Sequence, residues 1–499
     1  MKKLFILLLC IYPLLGNAQY FPVTIAEGSN FQSTSTYADV MNYIKMLEKA
    51  SKHIKTETIA TSIEGRDIPL MVVANPMPKT PRDIGNRIVV YIQANIHAGE
   101  VEGKEASLMF VRDLLKNPNN PLFKNIVLLV CPILNADGNE SISPKNRPWQ
   151  NGPVNGVGVR HNGQMLDLNR DAMKLETPEM VGVVTNVLNR WDPSIVMDCH
   201  TTNGSYHQEP VTFTWMMNPN GNRELINYMR DRMMPWVSTQ LSVKYKTLNC
   251  FYGEFIDQKD YEKGWISYAS EPRYFTNYIG LRNRLSILNE NYVYAPFDER
   301  VYGCYNLIAS VCDYAMQNSK EIKDLLAKAD REAIQFPKTT PAPEFAITYE
   351  GRPTPQWVTI LTYEAEAYTD EQGRERFRKT DRKRTVTVPY IADYYPTSTI
   401  PLPFAYIVRN DKVVTNLLKN HGIQFQTLTD TVTLNVEQFI IDSLKPAPRI
   451  NQGHYNNNIF GKYVKANRLF TINYVMVKTS QPLGQLAAYL LEPQSDDGL

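Results

Sequence analysis

The stretch that most constrains this chain runs from Arg87 to Leu115, where RIVVYIQAN passes directly into IHAGEVEGKEASLMFVRDLL. Val89, Val90, Ile92 and Ala94 make an apolar run of the kind a buried strand needs, and from Glu102 onward Ala106, Met109, Phe110 and Leu114 recur at helical spacing. His97 and Glu100 fall on the turn between strand and helix. In α/β sheets, sites collect at the carboxyl ends of strands. An imidazole and a carboxylate in H-x-x-E can converge on one point, as zinc accepts. The same pattern is also an ordinary helix start, with glutamate favoured by the helix dipole.

The chain opens MKKLFILLLCIYPLLGNAQYFP. Two lysines, an apolar run from Leu4 to Leu15 and Gly16-Asn17-Ala18 read as a signal peptide over 1–18, predicting export to the periplasm or the medium. That run is short for a membrane span, and no later stretch approaches about 18 uninterrupted apolar residues, so no stable span is expected. Without Lys2 and Lys3, the 53 basic residues fall to 51, equal to the 51 acidic ones. This balance gives no argument for nucleic acid or an anionic membrane as partner. Cys131, Cys199, Cys250, Cys304 and Cys312 remain, an odd set without C-x-x-C that is no disulfide framework, although export permits one bridge. A length of 499 residues with 43% hydrophobic content favours two or more domains.

Tyr37 to Lys55 has the spacing of an amphipathic helix, and Glu64-Gly65-Arg66-Asp67 separates two strand-like runs of a hairpin. NIVLLVCPIL from Asn125 is a second buried strand, running into a turn at Asn135-Ala136-Asp137-Gly138. Glu140 to Arg170, rich in Gly, Asn and Pro, reads as a long irregular loop, which in a compact domain is usually functional. At its end Asn169 and Arg170 form a natural carboxylate clamp, since a guanidinium meets a carboxylate through two parallel hydrogen bonds; an ordinary salt bridge is the plainer reading. Pro178 to Trp191 reads as a helix, and SIVMDCH as a third buried strand that ends on His200. With only seven histidines in the chain, two at strand ends plus Glu100 make a His₂Glu set that leaves zinc a position for water. Asp198 is placed either to orient a ligand or to cap a turn. A fourth strand, LSILNENYVY, carries Glu290, where a carboxylate beside activated water can act as general base.

Together these pieces resemble the zinc metallocarboxypeptidases of the carboxypeptidase A type. The matching stretches are H-A-G-E at His97 to Glu100, N-A-D-G at Asn135, N-R-P-W at Asn146 to Trp149, D-L-N-R at Asp167 to Arg170, then His200 and Glu290, in the family's order from roughly Tyr37 to Lys320. The resemblance implies an α/β fold with a mixed, mainly parallel eight-stranded sheet flanked by helices. It also implies one zinc per chain on His97, Glu100 and His200, a terminal carboxylate held by Asn169 and Arg170, and Glu290 as base. Gln150 stands where the family usually has an arginine after the tryptophan, so either Arg147 or Arg160 is expected to supply that charge. Tyr268, Tyr274 and Tyr278 are equal candidates for the tyrosine that closes over substrate.

From Phe336 five prolines mark a linker over 336–355, and short alternating runs predict a separate, smaller β-rich domain over 356–499, after a catalytic domain over 19–335. Large secreted bacterial members of the family often carry such an appendage. The basic run Arg374 to Arg384 reads as a solvated hairpin loop, and the ending SDDGL suggests a chain cut short. The expected activity is exopeptidase cleavage of peptides with a free C-terminus. The alternatives are a peptidoglycan-peptide hydrolase or amidase on the same zinc site, or a non-catalytic peptide or glycan binder.

Overall fold

The computed structural model describes residues 21–499, so the signal peptide expected over 1–18 lies outside the described residues. Before residue 336 the strands are β1 (Ile54–Thr61), β2 (Asp67–Val73), β3 (Ile88–Ala94), β4 (Ile126–Cys131), β5 (Ile195–Thr202), β6 (Val211–Trp215), β7 (Asn249–Phe251), β8 (Glu254–Phe255), β9 (Trp265–Ile266) and β10 (Leu285–Tyr292). Eight of them form one sheet in the order β1-β2-β4-β3-β5-β10-β6-β7. Its centre, β4-β3-β5-β10, is parallel throughout. The pairs β1-β2, β2-β4 and β10-β6 are antiparallel, and β6-β7 is parallel. The expected mixed, mainly parallel sheet is therefore present, with helices packed along it.

IVVYIQA in β3 and IVLLVC in β4 are buried at every position, as strands covered on both faces must be. Each fully buried Val, Leu or Ile contributes about 1.5–3 kcal/mol, so the sheet centre needs no metal to fold. The helix Glu102–Leu115 lies close on it at Gly103, where a Cβ would come within 2.4 Å of Cys199 Cβ. All five cysteines among the described residues are buried and free. No helix among those residues is long and apolar enough to cross a membrane.

Local differences from the sequence reading have local causes. The first long helix stops at Ala50, because Ser51 is extended, and Ile54 opens β1 instead of closing the helix. The turn at Asn135 is a short helix, Ala136–Glu140, capped by the Asn135 side chain on Gly138 N–H at 2.9 Å.

The largest difference lies after residue 336. β11 (Glu344–Thr369) and β12 (Glu375–Pro401) form one long antiparallel hairpin, so residues 344–355 are strand, not linker. Pro353 sits at a register shift, where the missing N–H costs no ladder bond. The hairpin is not separate from the catalytic sheet region: β12 pairs in parallel with β9, and β9 with β8. Buried Asp393 on β12 is ion-paired with Arg223 and Arg230. The basic run lies along β12, not in a loop, with Arg378 and Arg382 meeting Glu366 and Glu364 on β11. Then follow β13 (Ala405–Arg409), the helix Lys412–His421, β14 (Gln426–Thr427), a second hairpin of β15 (Val432–Pro446) and β16 (Asn457–Phe470), β17 (Tyr474–Lys478) and the helix Gly484–Leu491.

His421 ties this C-terminal part to the rest. It is fully buried, accepts from the Tyr278 hydroxyl at Nδ1 (2.7 Å) and donates from Nε2 to the Met173 carbonyl (2.9 Å). Burial, helped by the Arg282 guanidinium, pushes its imidazole down to about 3. The unfolded chain takes up this proton near pH ~6.5, the folded chain only near 3. Stability from this group is therefore complete above ~6.5 and falls with pH below it, by about 1.4 kcal/mol per unit. Urea midpoints between pH 7 and 4 should show that slope, and His421→Gln should flatten it; an equal slope in the variant contradicts the assignment.

Candidate functional site

β3 ends at Ala94, and Asn95 then turns through φ +62°, a region asparagine enters more readily than most residues. Its amide donates to the carbonyls of Ala98 and Glu100, both at 3.2 Å, closing the turn that carries His97 and Glu100. β5, beside β3, carries His200 two residues before its end, and β10, beside β5, holds Glu290 in register with it. Three neighbouring parallel strands thus deliver all four side chains to one edge of the sheet.

His97 Nδ1 lies 3.2 Å from Glu100 Oε1 and 3.3 Å from His200 Nδ1, and His200 Nδ1 lies 3.1 Å from Glu100 Oε2. The far nitrogens are held by carboxylates: His97 Nε2 by Asp167 at 3.0 Å, His200 Nε2 by Asp198 at 2.8 Å. A carboxylate on Nε2 keeps the proton there and leaves the Nδ1 lone pair free for a metal. Burial alone would raise the Glu100 carboxyl, but His97, Arg147 and His200 hold it well below its usual range. Burial would lower His200, yet Asp198 and Glu100 hold it well above. Two imidazoles and a carboxylate that converge on one point are a donor set a dication fits. These residues fit zinc.

Glu290 lines the same cavity of about 550 Å³ without joining the three donors. Burial pushes its carboxyl up to about 8; His200 opposes this, Glu100 adds to it, and Arg147 and Arg160 oppose it. Asn169 and Arg170 face that cavity too. Arg170 stacks 4.5 Å over the Tyr274 ring, and Asn169 Oδ1 accepts from Phe275 N–H at 2.9 Å. Both candidate arginines reach the metal donors. Arg147 donates to Glu100 (3.0 Å), the Thr201 carbonyl (2.9 Å) and Gln150 Oε1 (2.7 Å). Arg160 binds Asp167 at 2.8 Å and lies 3.8 Å from Glu100. Gln150 carries no charge into the site but orients Arg147. Gly99 is required here, since a Cβ would come 2.7 Å from Arg147 Cδ. Tyr268 and Tyr274 line the cavity, whereas Tyr278 is turned away toward His421.

Sequence reasoning missed three contributors. Asp167 was part of a matching stretch, but its partner His97 lies 70 residues away. Tyr252 lines the cavity and follows no recognisable pattern. Gln452, at the tip between β15 and β16, pairs with the Asp167 backbone through its side-chain amide at 3.0 and 2.8 Å. No local signal could reveal a contact spanning 285 residues.

Carboxylates that orient metal-binding histidines typically account for about 10–100-fold in metal affinity. Asp198→Asn and Asp167→Asn should each raise by that factor the free zinc needed for half-maximal activity, measured in metal buffers. Unchanged titrations would show that neither carboxylate orients a donor.

The family model described as zinc carboxypeptidase matches residues 40–192, a span that includes His97, Glu100, Arg147, Asn169 and Arg170 and ends before His200 and Glu290. Among curated proteins, no sequence matches the chain. Similar solved structures include carboxypeptidase A of Helicoverpa armigera, 15% identical, with 58% of this chain and 75% of that one covered and a TM-score of 0.43. A metallo-carboxypeptidase of Burkholderia cenocepacia is 15% identical over 56% of this chain and 68% of that one, with a TM-score of 0.40. A metallo-carboxypeptidase of Pseudomonas aeruginosa, in complex with (2-guanidinoethylmercapto)succinic acid, is 16% identical over 57% and 68%, with a TM-score of 0.41. Residues 40–192 thus match the zinc carboxypeptidase family, and the protein is a zinc-dependent hydrolase.

Proposed function

We propose that the protein is an exported metallocarboxypeptidase that releases C-terminal residues from peptides, with Glu290 as general base. The observation that carries this reading is that Asn169 and Arg170 share one cavity with His97, Glu100, His200 and Glu290. A carboxylate clamp a short distance from a hydrolytic centre selects the last peptide bond. The leader over 1–18 supports export.

Zinc, held by His97, Glu100 and His200, would supply a Lewis acid and an activated water. Glu290 takes a proton from the attacking water and passes it to the departing nitrogen. Arg170 pairs with the substrate's terminal carboxylate, and the Tyr274 ring holds its guanidinium in place. Arg147 and Arg160 place positive charge where the scissile carbonyl oxygen gains negative charge, the role Gln150 cannot fill. Tyr268 and Tyr274 are the tyrosines placed to cover the substrate.

Glu290→Gln should keep zinc and KM while kcat falls by about 10²–10⁴-fold. The parent's kcat/KM should fall on the acid side as Glu290 is protonated. A bound dication opposes the effect of burial, so that limb should lie below the metal-free value of about 8, and the variant should lack it. Near-parent turnover in the variant would remove Glu290 from the mechanism. Arg170→Ala should raise KM for free-carboxylate peptides with a smaller change in kcat. An unchanged KM would remove the clamp and leave the amidase or peptidoglycan-peptide reading.

A further inference from the structure

A second group of metal-type donors lies outside the catalytic cavity. His207 and Glu209 sit in the segment between β5 and β6, and Cys250 is on the edge strand β7, paired with Thr212. All three are buried, at 3%, 2% and 5% exposure, and their donor atoms lie within 4.8 Å of one another.

Two features of this group are costly without a ligand. His207 Nδ1 is buried with no hydrogen-bond partner, and the Tyr292 ring packed against the imidazole, centroids 3.7 Å apart, keeps it there. Glu209 accepts from the N–H groups of Leu361 (2.8 Å) and Gln208 (3.2 Å), but among the described residues no lysine or arginine neutralises it. His207 Nδ1 and Glu209 Oε2 stand 3.5 Å apart and point at the same space. Ligands at about 2.0–2.2 Å on a tetrahedral zinc are separated by roughly that distance.

We propose that His207, Glu209 and Cys250 form a second, structural site for a zinc-class dication. Loading takes the thiol proton from Cys250 into solvent and forms a sulfur–metal bond. One carboxylate and one thiolate then balance the dication, and the neutral imidazole completes a set with no net charge, the form a buried position tolerates. Sulfur and imidazole donors select zinc-type ions over calcium or magnesium. The site would lock the sheet edge to the long hairpin, because Gln208, between two of the donors, bonds Leu361 and Thr362 of β11. It does not depend on the peptidase reading, since none of the three residues lines the catalytic cavity.

The test is metal analysis and cobalt substitution of the full chain, purified without chelator. The parent should carry two equivalents of zinc. The His97→Ala/His200→Ala double variant should keep one, and Cys250→Ser should lose one. Cobalt-loaded parent and double variant should both show a thiolate-to-cobalt charge-transfer band, which the catalytic donors cannot give because they include no sulfur. If Cys250→Ser fails to fold, the double variant, which retains Cys250, decides by its spectrum. One zinc in the parent, none in the double variant and no thiolate band in either would overturn the proposal.

Discussion

The pairing of β3, β5 and β10 is the constraint on which the site depends. Because the three strands run parallel and are adjacent, their carboxyl ends open at one edge, and at or just beyond each end lies a residue that can bind a metal or move a proton. Register decides which face those residues take: a slip of one residue between β5 and β10 would send Glu290 to the opposite face from the histidines. The apolar runs on both sides hold the register, since any slip would also bury polar groups and expose Val, Ile and Leu.

Beneath that edge the protein buries charge to fix the loops. Glu102 opens the helix after the H-x-x-E turn and pairs with Arg300 at 2.5 Å, both essentially without solvent access. Arg300 also donates to the carbonyls of Asn151 and Gly152, each at 2.8 Å, and of Val293 at 3.1 Å. A buried pair is tolerable only when its donors are satisfied in this way, and removing one partner typically costs about 3–5 kcal/mol. Its consequence is positional: residues 151–152 are anchored next to Gln150, which orients Arg147 at the metal donors. The irregular stretch between residues 140 and 170 is thereby held near its middle by Arg300 and near its end by Asp167 on His97 and Arg160.

The central strands were legible because a strand buried on both faces must be a continuous apolar run, and His97, Glu100, His200 and Glu290 stood at the ends of such runs. Asp198 was legible for the same reason, two residues before His200 on one face of β5. Asp167, Tyr252 and Gln452 were not, since each acts across a separation that sequence spacing does not encode. The C-terminal part shows the same limit. Alternation revealed strands, but β9 has only two residues, and nothing in Trp265–Ile266 announces that it will recruit a 27-residue strand from beyond residue 374. Pro353 and Pro355, which read as linker, sit instead where the β11–β12 ladder shifts register and a missing donor does no harm.

The measurement that bears most directly on the peptidase reading is mass analysis of products from matched peptides with free and amidated C-termini, alongside purified peptidoglycan, with zinc-loaded and chelated protein. Stepwise loss of single residues from free C-termini, blocked by amidation and by chelation, is the predicted result. Internal cleavage of amidated peptides at an equal rate, or release from peptidoglycan alone, would contradict it.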